Sequence, residues 1–289
     1  MVCQKALKIN LKRQIAYFIW RPLSASNEEN IRLLSNDSKL PTRRIRNTAS
    51  YTDAHQLRYV SSSNPEVITT EALKDWKPPA VADAEDSMSF STAFSKHEEW
   101  KQKLVNTMLV YHYFVTEDEE KHIIREVEPY LNRLRYEDSH WDDAIHEYRE
   151  TEKGRWNKRN TEVLSRVRAL AFPPEAEQLK HVHVLDLAKK GVIKPHIDSV
   201  RFCGNIIAGL SLLSNSVMRL RHDVQRDFYC DVYLPRLSIY VMKDFARYEF
   251  THEILGEAES QFKGKKIARD RRISIMCRNE PVNKPTNAN

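Results

Sequence analysis

The chain has 289 residues, 41% of them hydrophobic and 30% charged, and a formal net charge of +6. This length holds one large domain, or one domain with extensions, and a mean hydropathy of −0.62 leaves part of the chain outside a packed core. The four cysteines, Cys3, Cys203, Cys230 and Cys277, share no short spacing, which argues against a zinc knuckle or disulfide scaffold. The hydrophobic segment 205–220 is too interrupted by Asn205, Ser211, Ser214, Asn215 and Arg219 to span a bilayer.

Residues 1–22 carry Lys5, Lys8, Lys12, Arg13 and Arg21 and no acid, so +5 of the net +6 belongs to this leader. The remainder is close to neutral, which weakens the nucleic-acid reading that a basic chain first invites. An acid-free, cationic, potentially amphipathic start before a Ser/Asn-rich stretch predicts a mitochondrial transit peptide and hence the mitochondrial matrix; an ordinary basic arm or surface helix is the alternative. Residues 23–96 are rich in Ser, Asn, Thr, Asp and Pro and lack aliphatic periodicity, the composition of a flexible or loosely ordered extension.

Order is expected from His97, in a domain spanning 97–280 followed by a polar tail, 281–289. Trp100, Leu104, Met108 and Tyr111 recur at three or four positions and predict a helix over 97–114. Thr116 and Glu119 have capping-box spacing ahead of Ile123, Ile124, Val127, Leu131 and Leu134, with Pro129 a caution against an unbroken helix. A third helix is predicted over 161–170, stopped by Pro173 and Pro174. Short β-favouring stretches follow at Val182 and Val184, 202–213, 217–220, 237–242 and 273–276. Helices first and strands later predict a mainly β, α+β domain in which helices buttress an antiparallel sheet or barrel. Side chains from different strands then converge on the interior.

His196 and Asp198 are two residues apart, so on extended backbone both project to one side and can reach one cation. His252 is the best placed third ligand. Two imidazoles and one carboxylate form the facial triad that suits octahedral Fe(II) and leaves sites for co-substrate and O₂. Other groups read as structural: His181 and His183 beside a strand, the cluster of His140, Asp142, Asp143 and His146 as capping and local hydrogen bonding, and His222 with Asp223 as a solvated turn. On the last strand Arg272, Ser274, Met276 and Arg278 share a face. Two guanidiniums turned into a barrel require anions, and a dicarboxylate gripped by an Arg fork supplies the charge. Edge-strand arginines in water, or paired to protein acids, are the alternative. Tyr240 lies on a strand twelve residues before His252, as a core or rim tyrosine or as a hydroxyl donor to the same carboxylate.

These residues in order resemble the AlkB family of Fe(II)/2-oxoglutarate dioxygenases: His196-Ile-Asp198, His252, and Arg272-x-Ser-x-Met-x-Arg278, which is similar to the family's Arg-x-Asn-x-Thr-x-Arg signature. Lys194-Pro-His-Ile-Asp-Ser, Ala208-Gly-Leu-Ser and Ala246-Arg-Tyr-Glu-Phe-Thr-His resemble its mitochondrial AlkB homologue seven branch. The resemblance covers about residues 97–280 and implies a double-stranded β-helix, or jelly roll. It further implies that His196, Asp198 and His252 hold Fe(II), that Arg272 clamps the distal carboxylate of 2-oxoglutarate, that Tyr240 and Ser274 hydrogen-bond at that site, and that Arg278 fixes its charge. The implied reaction spends O₂ and 2-oxoglutarate, released as succinate and CO₂, on hydroxylating a C–H bond.

Departures from the family pattern bear on substrate. Leu185-Asp186-Leu187 stands where nucleobase-repairing relatives have Asn-x-Tyr, and Val200 where they often have an acid that helps read a flipped base. Ser274 retains a hydrogen-bonding hydroxyl, whereas Met276 cannot replace a threonine donor. A protein or metabolite substrate in mitochondria is therefore expected, with a role in fatty-acid metabolism and regulated necrosis implied by the branch. Demethylation of RNA or DNA stands second, with Lys263–Arg272 a locally basic segment that can touch a phosphate backbone. An interaction protein with a regulatory iron site stands third.

Overall fold

The structure, a computed structural model, describes residues 73–140 and 143–281. The expected transit peptide, most of the extension, Asp142 and nearly all of the tail lie outside the described residues. A helical turn at Ala84–Ser87 precedes strand β1 (Met88–Phe90) and a 3-10 turn at Thr92–Lys96. Helix α1 (Glu98–Thr107) runs into β2 (Met108–Tyr111), and helix α2 (Glu117–Leu131) starts at the expected capping box. The Thr116 hydroxyl accepts from the Glu119 N–H at 3.2 Å, and the Glu119 carboxylate accepts from the Thr116 N–H at 2.8 Å. Strand β3 (Ile145–Lys153), helix α3 (Lys158–Ala171), and strands β4 (Val182–His196), β5 (Ile206–Leu212), β6 (Ser216–His222), β7 (Tyr229–Leu234) and β8 (Ser238–Lys243) follow. Helix α4 (Asp244–Glu249), β9 (Phe250–Ile254), a small hairpin of β10 (Gln261–Phe262) and β11 (Lys265–Lys266), and β12 (Arg272–Arg278) complete the domain.

The main sheet is antiparallel in the order β1-β7-β6-β9-β4-β12-β5-β8-β2, with β3 on the other edge of β4. The long β4 joins its two arms: His183–Leu187 pair with β12, while Ile193 and His196 pair with β9 beyond a register shift. Met108, Leu187, Ile207 and Met242 from one arm pack with Leu220, Val232 and Phe250 from the other in one buried cluster, so the sheet curls on itself as a jelly roll. A second cluster backs the β12 arm. Ile273, Ile275, Leu210 and Val241 lie beneath Ile123 and Val127 of α2 and Val163 and Val167 of α3, each large apolar side chain contributing about 1.5–3 kcal/mol. With Ile273, Ile275 and Cys277 under the helices, alternation turns Arg272, Ser274, Met276 and Arg278 inward.

Two expected boundaries move. Order starts before His97: β1 pairs Met88 with Val232 and Phe90 with Cys230, and the buried Phe94 packs edge-on against Phe228 at 5.1 Å. An edge strand of three residues is too short to show a period. The helix expected over 97–114 ends at Thr107, because Met108–Tyr111 pairs with β8 from Met108↔Met242 to Tyr111↔Ile239. Both faces of β2 are apolar, so helical spacing and a strand buried on both sides look alike there.

Candidate active site

β4 and β9 set His196 directly opposite His252, with ring centroids 4.2 Å apart. Asp198, just past the end of β4, brings Oδ1 to 3.4 Å from His196 Nε2 and 3.6 Å from His252 Nε2. One ligand atom from each residue lies within 4.8 Å of the others. The Nδ1 of His196 lies 2.9 Å from the Lys194 carbonyl and donates to it, which fixes the ring with Nε2 on the Asp198 side. Burial, reinforced by His196, pushes His252 down to about 3, so its ring is neutral. Burial opposes the charge on Asp198, yet His196, His252 and Arg247 around it hold its carboxyl well below the usual range. Two imidazoles and one carboxylate, from three separate places in the chain, thus converge their ligand atoms on one point. This donor set fits Fe(II).

Beside the triad, the Arg272 side chain is 2% exposed. Its Nε donates to the Ser211 hydroxyl at 3.2 Å and its Nη1 to the Ser274 hydroxyl, and among the described residues no acid lies within 4.0 Å of it. Burial lowers its pKa to about 10, against the usual 12.5. Tyr240 is buried on β8, and burial raises its hydroxyl to about 12 despite the opposing charge of Arg272. Arg278 pairs with Glu152 at 3.5 Å, while its Nε is buried without a partner. The inward face thus brings together Arg272, Ser274 and Arg278, and β8 adds Tyr240.

Ser211 and Arg247 belong to this region and escaped sequence reasoning. Ser211 pairs with Ser274 across the sheet, and a serine on the inward side of an otherwise apolar strand was the available signal. Arg247 of α4 is fully buried, reaches the Cys203 carbonyl at 3.4 Å, and has Nε and Nη1 unpaired among the described residues. The groups read as structural do not join the triad. His183 bonds Glu150 at 2.9 Å, His140 lies 3.9 Å from that carboxylate, His181 packs on Gly154, and His146 contacts Asp143 at 2.9 Å. His222 corrects the solvated-turn reading: it is buried, stacked on Trp100 at 4.9 Å, and its Nδ1 accepts from the Val224 and Gln225 N–H groups. The partly buried Trp100, packed against the core, is the partner that covers the ring.

The chain is similar in sequence to known proteins. The mouse (Mus musculus) alpha-ketoglutarate-dependent dioxygenase alkB homolog 7, mitochondrial, is 49% identical over 179 residues, covering 62% of this chain and 81% of that protein. The protein of the same name from Bos taurus is 51% identical over 168 residues, covering 58% and 76%. A Caenorhabditis elegans DNA N6-methyl adenine demethylase is 34% identical over 80 residues, covering 28% of this chain and 26% of its own. The family model described as the 2OG-Fe(II) oxygenase superfamily matches residues 87–278, from β1 to the end of β12. With the triad, the jelly roll and the inward arginines inside that span, the chain belongs to the 2OG-Fe(II) oxygenase superfamily, which uses Fe(II), 2-oxoglutarate and O₂.

Proposed function

We propose that the chain is a mitochondrial matrix dioxygenase that couples oxidative decarboxylation of 2-oxoglutarate to hydroxylation of a protein or metabolite. In this reading His196, Asp198 and His252 hold Fe(II). Arg272 grips the distal carboxylate of 2-oxoglutarate, with Ser274 and Ser211 orienting the guanidinium, Tyr240 hydrogen-bonding the same carboxylate, and Arg278 balancing the charge around it. Bound Fe(II) and 2-oxoglutarate supply the oxidising chemistry, the latter leaving as succinate and CO₂. The observation that carries the reading is Arg272: a guanidinium buried on the inward face and held, among the described residues, by two hydroxyls is complementary to a carboxylate brought by a ligand.

The mitochondrial assignment rests on the basic leader and on the names of the mouse and bovine relatives. A protein or metabolite substrate is favoured because Leu185 and Leu187 are buried apolar groups where base-repairing relatives have Asn-x-Tyr, and Val200 is an exposed apolar residue where they often have an acid. A role in fatty-acid metabolism and regulated necrosis would follow from the branch. The second reading, oxidative demethylation of RNA or DNA, is favoured by the partial similarity to the nematode demethylase.

Anaerobic titration with Fe(II) and 2-oxoglutarate tests the site. Succinate release with candidate peptides, methylated oligonucleotides or no prime substrate then separates the readings. Peptide- or metabolite-dependent succinate lost in His196→Ala supports the first, and oligonucleotide-dependent formaldehyde supports the second. Metal-dependent partner capture without substrate-dependent turnover would leave an interaction protein with a regulatory iron site. Folded protein that binds neither iron nor 2-oxoglutarate would overturn the assignment.

A further inference from the structure

Gly209 lies in the middle of β5, paired with Met276 of β12 on one side and Tyr240 of β8 on the other. Glycine inside a strand costs about 0.5–1 kcal/mol relative to alanine, so its presence there calls for a local reason. The backbone does not supply one, since Gly264 is the glycine with positive φ among the described residues. The side-chain space does. A Cβ built on Gly209 would lie 2.5 Å from Cε1, 2.6 Å from Cζ and 2.7 Å from the hydroxyl oxygen of Tyr240.

The outer end of the tyrosine ring therefore lies across β5, over the Cα of its own cross-strand partner. Strands are spaced about 4.8 Å apart, so a ring lying this way carries the hydroxyl about one strand nearer to β12 than its attachment on β8. β12 bears Arg272 and Ser274 on its inward face, and Ser211 lies two residues from Gly209 on the same side of β5. The Tyr240 hydroxyl makes no hydrogen bond to any described residue, and the ring is 4% exposed. It is an uncommitted donor on a buried ring, moved toward the arginine.

We propose that Gly209 is a positioning residue for the co-substrate: its missing side chain is what allows Tyr240 to lie across β5 and share a ligand carboxylate with Arg272. The inference rests on the 2-oxoglutarate reading of the inward face. Any larger residue at 209 would force the ring upright and withdraw the hydroxyl, leaving the triad on β4 and β9 untouched. Gly209 acts through Tyr240, so its substitution and removal of the hydroxyl should not add.

The test is an anaerobic calorimetric titration of 2-oxoglutarate into protein loaded with Mn(II), for wild type, G209A, Y240F and G209A/Y240F, with Mn(II) affinity measured separately. A hydrogen bond to a carboxylate lost in G209A should weaken 2-oxoglutarate about tenfold, with metal affinity unchanged. Y240F should lose a similar factor, and the double variant should match Y240F. Unchanged binding in G209A, or losses that multiply in the double variant, would overturn the proposal. Should G209A not fold, G209A/Y240A removes the clashing ring: folding with the 2-oxoglutarate affinity of Y240A supports the proposal, and failure to fold overturns it. Wild type that binds Mn(II) but no 2-oxoglutarate would instead remove the co-substrate reading itself, and this inference with it.

Discussion

Arg271 and Arg272 are adjacent in the chain and have opposite fates. Arg271 faces outward into a closed ion-pair network: its Nε and Nη2 reach Asp186 at 2.9 and 2.8 Å, and Nη1 and Nη2 reach Glu128 at 3.2 and 3.1 Å. Asp186, fully buried, also takes the Arg149 Nε at 2.7 Å and the Tyr136 hydroxyl at 3.1 Å. Hydrogen bonding to Asp186 raises the pKa of Arg271, whereas burial lowers that of Arg272 to about 10. One guanidinium is completed by acids of the protein and the other, among the described residues, by two serine hydroxyls. A buried ion pair serves the fold, while a buried ion without its pair weakens the fold and serves a ligand.

Removing the shared acid should produce the largest effect. Asp186→Ala leaves two guanidiniums facing a hole, and loss of about 3–5 kcal/mol in chemical denaturation is expected. A loss under about 1 kcal/mol would mean that Arg271 is no better satisfied than Arg272, and the contrast would fail. Arg272→Met sharpens it from the other side. This variant should lose about 100-fold or more in 2-oxoglutarate affinity, the scale of two charge-assisted hydrogen bonds, while its stability without co-substrate stays level or rises. Co-substrate itself is the third probe. At 100 times its wild-type dissociation constant it should stabilise the wild type by about 2.7 kcal/mol and Arg272→Met by no more than about 0.4 kcal/mol.

The contrast was half visible in the sequence. Alternation along Arg272-Arg278 was enough to group the inward residues, because the strand is regular and its outward residues Ile273, Ile275 and Cys277 are apolar. The triad was legible as residue types, but its geometry depends on the pairing of His196 with His252 across β4 and β9, which no local pattern encodes. Arg271 fell within the locally basic segment Lys263–Arg272 with nothing to mark it out, since its partners Asp186 and Glu128 come from a distant strand and helix. Gly209 was invisible for the opposite reason: its role lies in an atom it does not have. Met108 and Tyr111 misled because a strand with apolar residues on both faces satisfies helical spacing as well.

An inward acid offers the smallest and most specific probe, because it shows how far pairing on the ligand-facing side, where Arg278 meets Glu152, extends to the imidazoles. Glu150 of β3 bonds His183 at 2.9 Å and lies near His140. Burial would raise its carboxyl, but the hydrogen bond to His183 and the charges of His183, His140 and Arg278 outweigh it and hold the carboxyl below the ordinary range. A carboxyl depressed in the folded state binds fewer protons than in the unfolded chain between the two values. Its stabilisation is therefore full above the unfolded value of about 4.3 and disappears as pH falls through the lower folded value. Glu150→Gln should be less stable than wild type at neutral pH by about 1 kcal/mol, the scale of one hydrogen bond, and the two should converge on acidification below about pH 4.3. Urea denaturation across that range measures it. Curves that stay parallel would mean that Glu150 is not held by its imidazoles.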